Sequence, residues 1–187
     1  MNPPPYNEKS GRNLPWHTTF IGQRMQHNFW IYAIIDKVMA ENPQIKSIVE
    51  IGTGSGALSS VFGLWGVKRN IPVLTIDKVM RHTPAILSRL GVEYMQADVF
   101  SDQVVQRVEA LVGDSPTWIY CDGGSKRREV ELFAPLVPAD SIISAHDYQV
   151  EFFPDAVASG LIPEVISPYR PEWWMDMNVQ LAMYKKT

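Results

Sequence analysis

The chain has 187 residues, 45% of them hydrophobic and 20% charged, with a net charge of −3. That is the composition of an ordinary globular chain long enough for one sizeable core, and its mild acidity excludes a broad nucleic-acid or membrane-surface footprint. No apolar stretch reaches the length of a membrane span, no basic-then-apolar leader opens the chain, and the single cysteine, Cys121, allows no internal disulfide. The expectation is one domain over residues 1–187 in a reducing, cytoplasmic setting.

The elements follow in chain order. Residues 1–15 are rich in Pro, Asn and Gly, which predicts an irregular arm. Trp16 to Gln26 mixes aromatic and polar groups and is expected to lead into a helix from about Gln26 to Ala40, ended by Asn42-Pro43. This segment either forms a lid over a pocket or covers a sheet edge. Ile45 to Ile51 reads as a first strand, followed by a glycine turn and a helix from about Ala57 to Trp65. Strands are then expected at Pro72–Asp77, Val92–Gln96, Thr117–Asp122 and Ser141–Ala145. Helices are expected at Pro84–Leu90, Gln103–Val112 and Lys126–Leu136. Two further β-like runs, Pro163–Ser167 and Asn178–Tyr184, have no helix-sized insert between them and should pair as an antiparallel hairpin. Strands alternating with helices predict an α/β, doubly wound, mostly parallel sheet.

The chemistry concentrates at the strand ends. In open α/β sheets ligands bind beyond the carboxyl ends of the strands, and here those ends carry Glu50, Asp77, Asp98, Asp122 and the pair His146-Asp147. The first strand runs into Gly52-Thr53-Gly54-Ser55-Gly56, glycine at every second position, where a side chain would block close approach of a ligand to the backbone. Asp77 stands where an acid accepts hydrogen bonds from ribose hydroxyls, which points to an adenosine-containing cofactor. Two cofactors compete. Gly52 to Ala57 fits the loose dinucleotide pattern G-x-G-x-x-A of NAD enzymes. A carboxylate rim made by Glu50 and Asp98 better suits a cationic ligand such as S-adenosylmethionine (SAM).

Val49-Glu50-Ile51-Gly52-Thr53-Gly54-Ser55-Gly56 resembles the first motif of class I SAM-dependent methyltransferases. Leu74-Thr75-Ile76-Asp77, Gln96-Ala97-Asp98-Val99 and Ile119-Tyr120-Cys121-Asp122 resemble the later motifs in order and spacing. More narrowly, glutamines before the first strand and His146-Asp147 after the fifth resemble the cephalosporin hydroxylase and macrocin O-methyltransferase group. The resemblance implies a Rossmann-like, seven-stranded sheet with an antiparallel last strand. It also implies that Gly52, Gly54 and Gly56 line the methionine part, Asp77 the ribose and Asp98 the adenine. Glu50, Thr53, Ser55, Lys78, Val99 and Asp122 fall among its cofactor-contacting positions. In the narrower group, and in catechol O-methyltransferases, the positions of Asp122, His146 and Asp147 hold a divalent metal such as Mg²⁺, which lowers the pKa of a substrate hydroxyl.

The departures from that pattern define the alternatives. His146 stands where those enzymes have an acid or an asparagine, and imidazole is a poor partner for Mg²⁺ but suits Mn²⁺, Fe²⁺ or Zn²⁺. Metal-free chemistry with His146 as general base is the second option, and simple pairing of His146 and Asp147 with loop backbone the third. Lys126, the candidate catalytic lysine, lies four residues after Asp122 instead of three, so a solvated first-turn lysine is its competing role. Its neighbours Arg127 and Arg128 read as a solvated helix start. His17, His27 and His82 are expected to be surface or packing residues. Tyr169 and Trp173-Trp174 could stack on a substrate, or pack in the hairpin or at a homo-oligomer contact. The function implied is O-methylation of a small-molecule acceptor, with a non-catalytic SAM-binding module or an NAD-dependent oxidoreductase as alternatives.

Overall fold

The computed structural model describes residues 6–7, 12–13, 18–25, 27, 30–79, 85–147, 166–168 and 181–187. His17, His82, Tyr148, Tyr169 and Trp173-Trp174 lie outside the described residues. The chain begins with two small antiparallel pairs, β1 (Tyr6–Asn7) with β2 (Arg12–Asn13), and β3 (Thr18–Phe20) with β4 (Gln23–Met25). Helix α1 (Ile31–Glu41) follows, then β5 (Ser47–Ile51), α2 (Ala57–Arg69), β6 (Val73–Asp77), α3 (Ala85–Arg89) and β7 (Val92–Gln96). The second half holds α4 (Asp102–Val112), β8 (Thr117–Cys121), α5 (Lys126–Phe133), β9 (Ile142–Ala145), β10 (Ile166–Pro168) and β11 (Ala182–Lys186).

The large sheet is ordered β10-β11-β9-β8-β5-β6-β7. Strands β9, β8, β5, β6 and β7 run parallel, while β11 is antiparallel to both β9 and β10. The mostly parallel α/β sheet, its antiparallel final strand and the closing hairpin all agree with the sequence expectation. Register does the functional work here. Ile51 lies beside both Ile76 and Cys121, and Cys121 lies beside Ala145. The residues that follow, Gly52, Asp77, Asp122 and His146, therefore emerge level along one edge.

Both faces of the sheet are covered. Strand pleating sends Ile48, Trp118, Tyr120 and Ile142 to one face, against α1 and α2, and sends Val49, Ile51, Ile119 and Ile143 to the other, against α4 and α5. Helix α1 buries Ile31, Ile34, Ile35, Val38 and Met39, an i, i+3, i+4 stripe. On the same side Phe62 of α2 sits edge-on to Trp118 and Tyr120, with ring centroids 5.4 and 5.5 Å away. Among the described residues, no helix is long and apolar enough to cross a membrane.

Three expectations near the N-terminus need correction. The arm contains the β1–β2 pair, since antiparallel strands need only a short connection. The stretch expected to lead into a helix forms the β3–β4 hairpin instead. Its two turn residues, Ile21 and Gly22, both have positive φ, 51° and 76°, which matches the twist of a two-residue hairpin loop. Helix α1 accordingly starts at Ile31 and not near Gln26, leaving His27 outside it. Smaller boundary shifts lengthen α2 to Arg69 and move the hairpin strands to Ile166–Pro168 and Ala182–Lys186.

Phe62→Ala should lower the unfolding free energy by about 3–5 kcal/mol, because a fully buried ring between two aromatic neighbours leaves a cavity that cannot close. Urea denaturation followed by far-UV circular dichroism reads this directly; a loss below about 1 kcal/mol would mean that the α2–sheet contact is not part of the core.

Candidate active site at the carboxyl edge of the sheet

The glycine turn is forced by backbone crowding. Gly52 has φ 94°, and a Cβ there would lie 2.3 Å from the carbonyl oxygen of Asp122, so any side chain would push β5 and β8 apart at their ends. Gly54 donates its amide to Asp77 Oδ2 at 2.9 Å, and Val79 donates to Asp77 Oδ1 at 2.9 Å. Backbone amides thus fix the Asp77 carboxylate at the edge of the turn. Gly56, with φ 80°, caps α2. Asp98, after β7, accepts from the Phe100 amide and from Lys78 Nζ, each at 3.1 Å. These bonds, the backbone one first, hold its carboxyl below the usual range. Arg128 lies over the Phe100 ring at 4.1 Å.

One cavity of about 860 Å³ is lined by the turn and by these acids. Gly52, Thr53, Gly54, Ser55, Asp77, Lys78, Asp98, Val99, Asp122, Lys126 and Asp147 of the sequence candidates all face it. Glu50, Gly56 and His146 are not among its lining residues. Glu50 is fully buried beneath the turn, with its Oε2 accepting hydrogen bonds from the Ser59 hydroxyl and, at 2.5 Å, from the Thr75 hydroxyl. Strand pleating puts it on the α2 face with Ile48, not beyond the strand end. Burial pushes its carboxyl up to about 8, against the opposing hydroxyl hydrogen bonds.

The second half of the site is a buried ionic cluster. Asp122 follows β8, His146 and Asp147 follow β9, Lys126 opens α5, and His27 follows β4. His27 Nε2 lies 3.1 Å from Asp122 Oδ2, and His146 Nδ1 lies 3.4 Å from Asp122 Oδ1 and 3.2 Å from Asp147 Oδ1. Lys126 Nζ is 2.8 Å from Asp147 and 3.5 Å from Asp122. Burial would raise the Asp122 carboxyl, but hydrogen bonds from His146 and His27 outweigh it and hold the group well below the usual carboxylate range. Burial likewise disfavours charge on His146, yet the two carboxylates raise its pKa to about 9. The His146 hydrogen bond, helped by Lys126, lowers Asp147 to about 2 despite partial burial. For His27 burial wins over Asp122, and its pKa is lowered. With no cation bound, the raised pKa favours the imidazolium on His146 and the lowered one the neutral form on His27, whereas a bound metal would displace the proton from the ligating nitrogen of His146.

Two readings from sequence change here. Lys126 is not a solvated first-turn lysine: only 5% of it is exposed. The Gly123-Gly124-Ser125 loop wraps around Glu129, which accepts the Gly123 and Ser125 amides at 3.2 and 2.9 Å. That fold turns the extra residue inward, so the ammonium points back at Asp122. His27 is not a surface or packing residue either; it lines the cavity together with Gln23 and Met25. The alternation of those three positions, continuing the period of β4, is the signal that could have found it.

His27, Asp122 and His146 each offer a ligand atom within 4.8 Å of the others and could hold a metal ion; two of the three belong to the Asp122, His146 and Asp147 set expected from sequence. Two imidazoles and one carboxylate fit a nitrogen-preferring divalent ion; they do not fit Mg²⁺, a hard cation that takes oxygen ligands.

No protein-family profile and no curated protein sequence matches the chain. Solved structures do. A CmcI apo-structure aligns over 91% of this chain and 76% of its own, with TM-score 0.72 and 14% identity. A CmcI structure with Mg and SAM aligns over 97% and 79%, with TM-score 0.70 and 15% identity. A Staphylococcus aureus protein provisionally assigned as a caffeoyl-CoA O-methyltransferase aligns over 86% and 84%, with TM-score 0.60 and 16% identity. At such identities the likeness establishes a shared Rossmann-like fold.

Glu50 generates a pH signature. Its folded-state pKa is raised, so the folded chain keeps a proton that the unfolded chain releases, and stability should fall as pH rises from about 5 to 8. Glu50→Gln should flatten that slope in denaturation midpoints taken across the window. Parallel profiles for the two proteins would contradict the assignment.

Proposed function

We propose that the chain is a SAM-dependent methyltransferase acting on an oxygen of a small molecule. The observation that carries this reading is a single cavity lined both by the glycine turn with Asp77 and Asp98 and by the Asp122, Lys126 and His27 cluster. A cofactor and an acceptor bound there would share one cavity. The strand order, a seven-stranded sheet with its last strand antiparallel, supports the class I assignment. So do the O-methyltransferase named for the Staphylococcus aureus relative and the SAM named for CmcI.

Bound in this cavity, SAM would supply a sulfonium-activated methyl group. The chain's own residues do the rest. Asp77, oriented by two backbone amides, takes the ribose hydroxyls, and Asp98 takes the adenine amino group. The carboxylates of Asp77, Asp98, Asp122 and Asp147 along the cavity favour a cationic ligand over the pyrophosphate of a dinucleotide, which disfavours the oxidoreductase alternative. Methyl transfer is an in-line displacement, so the protein's main contributions are positioning and removal of the acceptor proton. Without a metal, His27 accepts that proton, since it is neutral and faces the cavity, whereas His146 is already charged and does not. His146 instead acts as a positioning residue for Asp122. The Lys126 ammonium stabilises negative charge developing on the acceptor oxygen. Buried, mutually perturbed charges at a cavity wall belong to chemistry more than to passive binding, which favours catalysis over a non-catalytic SAM module.

The test is transfer of an isotopically labelled methyl group from SAM to a panel of phenols, catechols and sugars, followed by mass spectrometry. Asp122→Asn should lower turnover by at least ~100-fold while changing SAM affinity less than ~3-fold. Undiminished turnover in the variant would remove the cluster from the reaction. SAM binding without transfer to any acceptor would favour the non-catalytic module.

A further inference from the structure

The donor set at the edge of the sheet selects a class of metal that the proposed function does not itself specify. His27, Asp122 and His146 come from three separate segments, after β4, β8 and β9, and bring one ligand atom each to within 4.8 Å of one another. The two histidines are 7% and 6% exposed, so the donors sit where bulk water does not compete. Asp147 is the carboxylate that would have made the site oxygen-rich. One of its oxygens is held by the Lys126 ammonium at 2.8 Å, and the other lies 3.2 Å from His146 Nδ1. That ammonium also lies 3.5 Å from Asp122, so one internal cation cancels half the charge of the carboxylate pair. Hard cations such as Mg²⁺ draw their affinity from several oxygens and keep near-octahedral, largely hydrated shells. Imidazole nitrogens contribute little to such an ion and much to Fe²⁺, Co²⁺, Ni²⁺ or Zn²⁺.

We propose that His27, Asp122 and His146 form a nitrogen-rich binding site for a first-row transition-metal ion, with Lys126 occupying one oxygen of Asp147 and thereby setting the site against Mg²⁺. The N-terminal hairpin is what makes this possible. The alternation of β4 carries Gln23, Met25 and His27 to the cavity, so a segment outside the large sheet supplies the second nitrogen. The site does not depend on the identity of the methyl donor.

The full-length chain, stripped with a chelator, should bind one Co²⁺ with the visible absorption of a nitrogen- and oxygen-ligated ion, and millimolar Mg²⁺ should not displace it. His27→Ala and His146→Ala should each weaken Co²⁺ binding at least ~10-fold, and Asp147→Asn less than ~3-fold. Lys126→Met should raise Mg²⁺ affinity by freeing Asp147. Pulsed electron paramagnetic resonance of the Mn²⁺-loaded wild-type protein needs no variant and should show nitrogen couplings. Displacement of Co²⁺ by equimolar Mg²⁺, an Asp147→Asn loss equal to that of His27→Ala, or a Mn²⁺ spectrum without nitrogen coupling would each overturn the proposal. Calorimetry with SAM on the same samples reads the methyl donor separately. A chain that binds Co²⁺ but not SAM keeps this inference and loses the proposed function, and the reverse result does the opposite.

Discussion

Asp122 is the point at which the backbone of the sheet and the chemistry of the site become one constraint. Its amide donates to the Ile51 carbonyl at 2.8 Å, which continues the β5–β8 ladder past the last paired residues. Its own carbonyl occupies the space that a side chain on Gly52 would need. Its carboxylate faces His27, His146 and Lys126. The tightness of the glycine turn and the position of the ionic cluster are thus set by the same residue. Moving Asp122 outward would loosen the turn, and filling the turn would displace the carboxylate.

The electrostatics follow from that crowding. Four ionisable groups surround Asp122 in a mostly buried space, and they divide their protons in a definite way. The two carboxylates stay charged because an imidazolium and an ammonium face them, and His27 stays neutral because its burial is not matched by enough negative charge. Glu50, only two residues before Gly52, has the opposite fate. It has hydroxyl partners and, among the described residues, no cation paired with it, so it keeps its proton near neutral pH. Five acids at strand ends therefore do not form one uniform acidic rim.

Much of this was legible in the sequence, and the parts that were not share a cause. Apolar runs ending in acids located β5, β6 and β8, and the missing helix between the last two runs identified the antiparallel hairpin, because these signals are local. The glycine spacing located the turn for the same reason. The fate of Glu50 depends on pleat parity: a residue two before the turn faces a sheet side and not the cavity. Lys126 looked misplaced by one residue because the loop that corrects its direction is organised by Glu129, three residues further on. His27 lies 95 positions from Asp122 in a segment whose β period was hidden by mixed polar and aromatic residues. Local pattern could name each of these side chains, but only tertiary structure could say what it faces.

In the proposed function the glycine turn, Asp77 and Asp98 select a cationic, adenosine-bearing methyl donor. Isothermal titration of the full-length protein with SAM and, in parallel, with NAD⁺ tests it most directly. The account predicts stoichiometric SAM binding in the micromolar range that is lost in Asp77→Ala, with no heat from NAD⁺ at the same concentrations. Saturable NAD⁺ binding, or no SAM binding at high micromolar concentration, would contradict it.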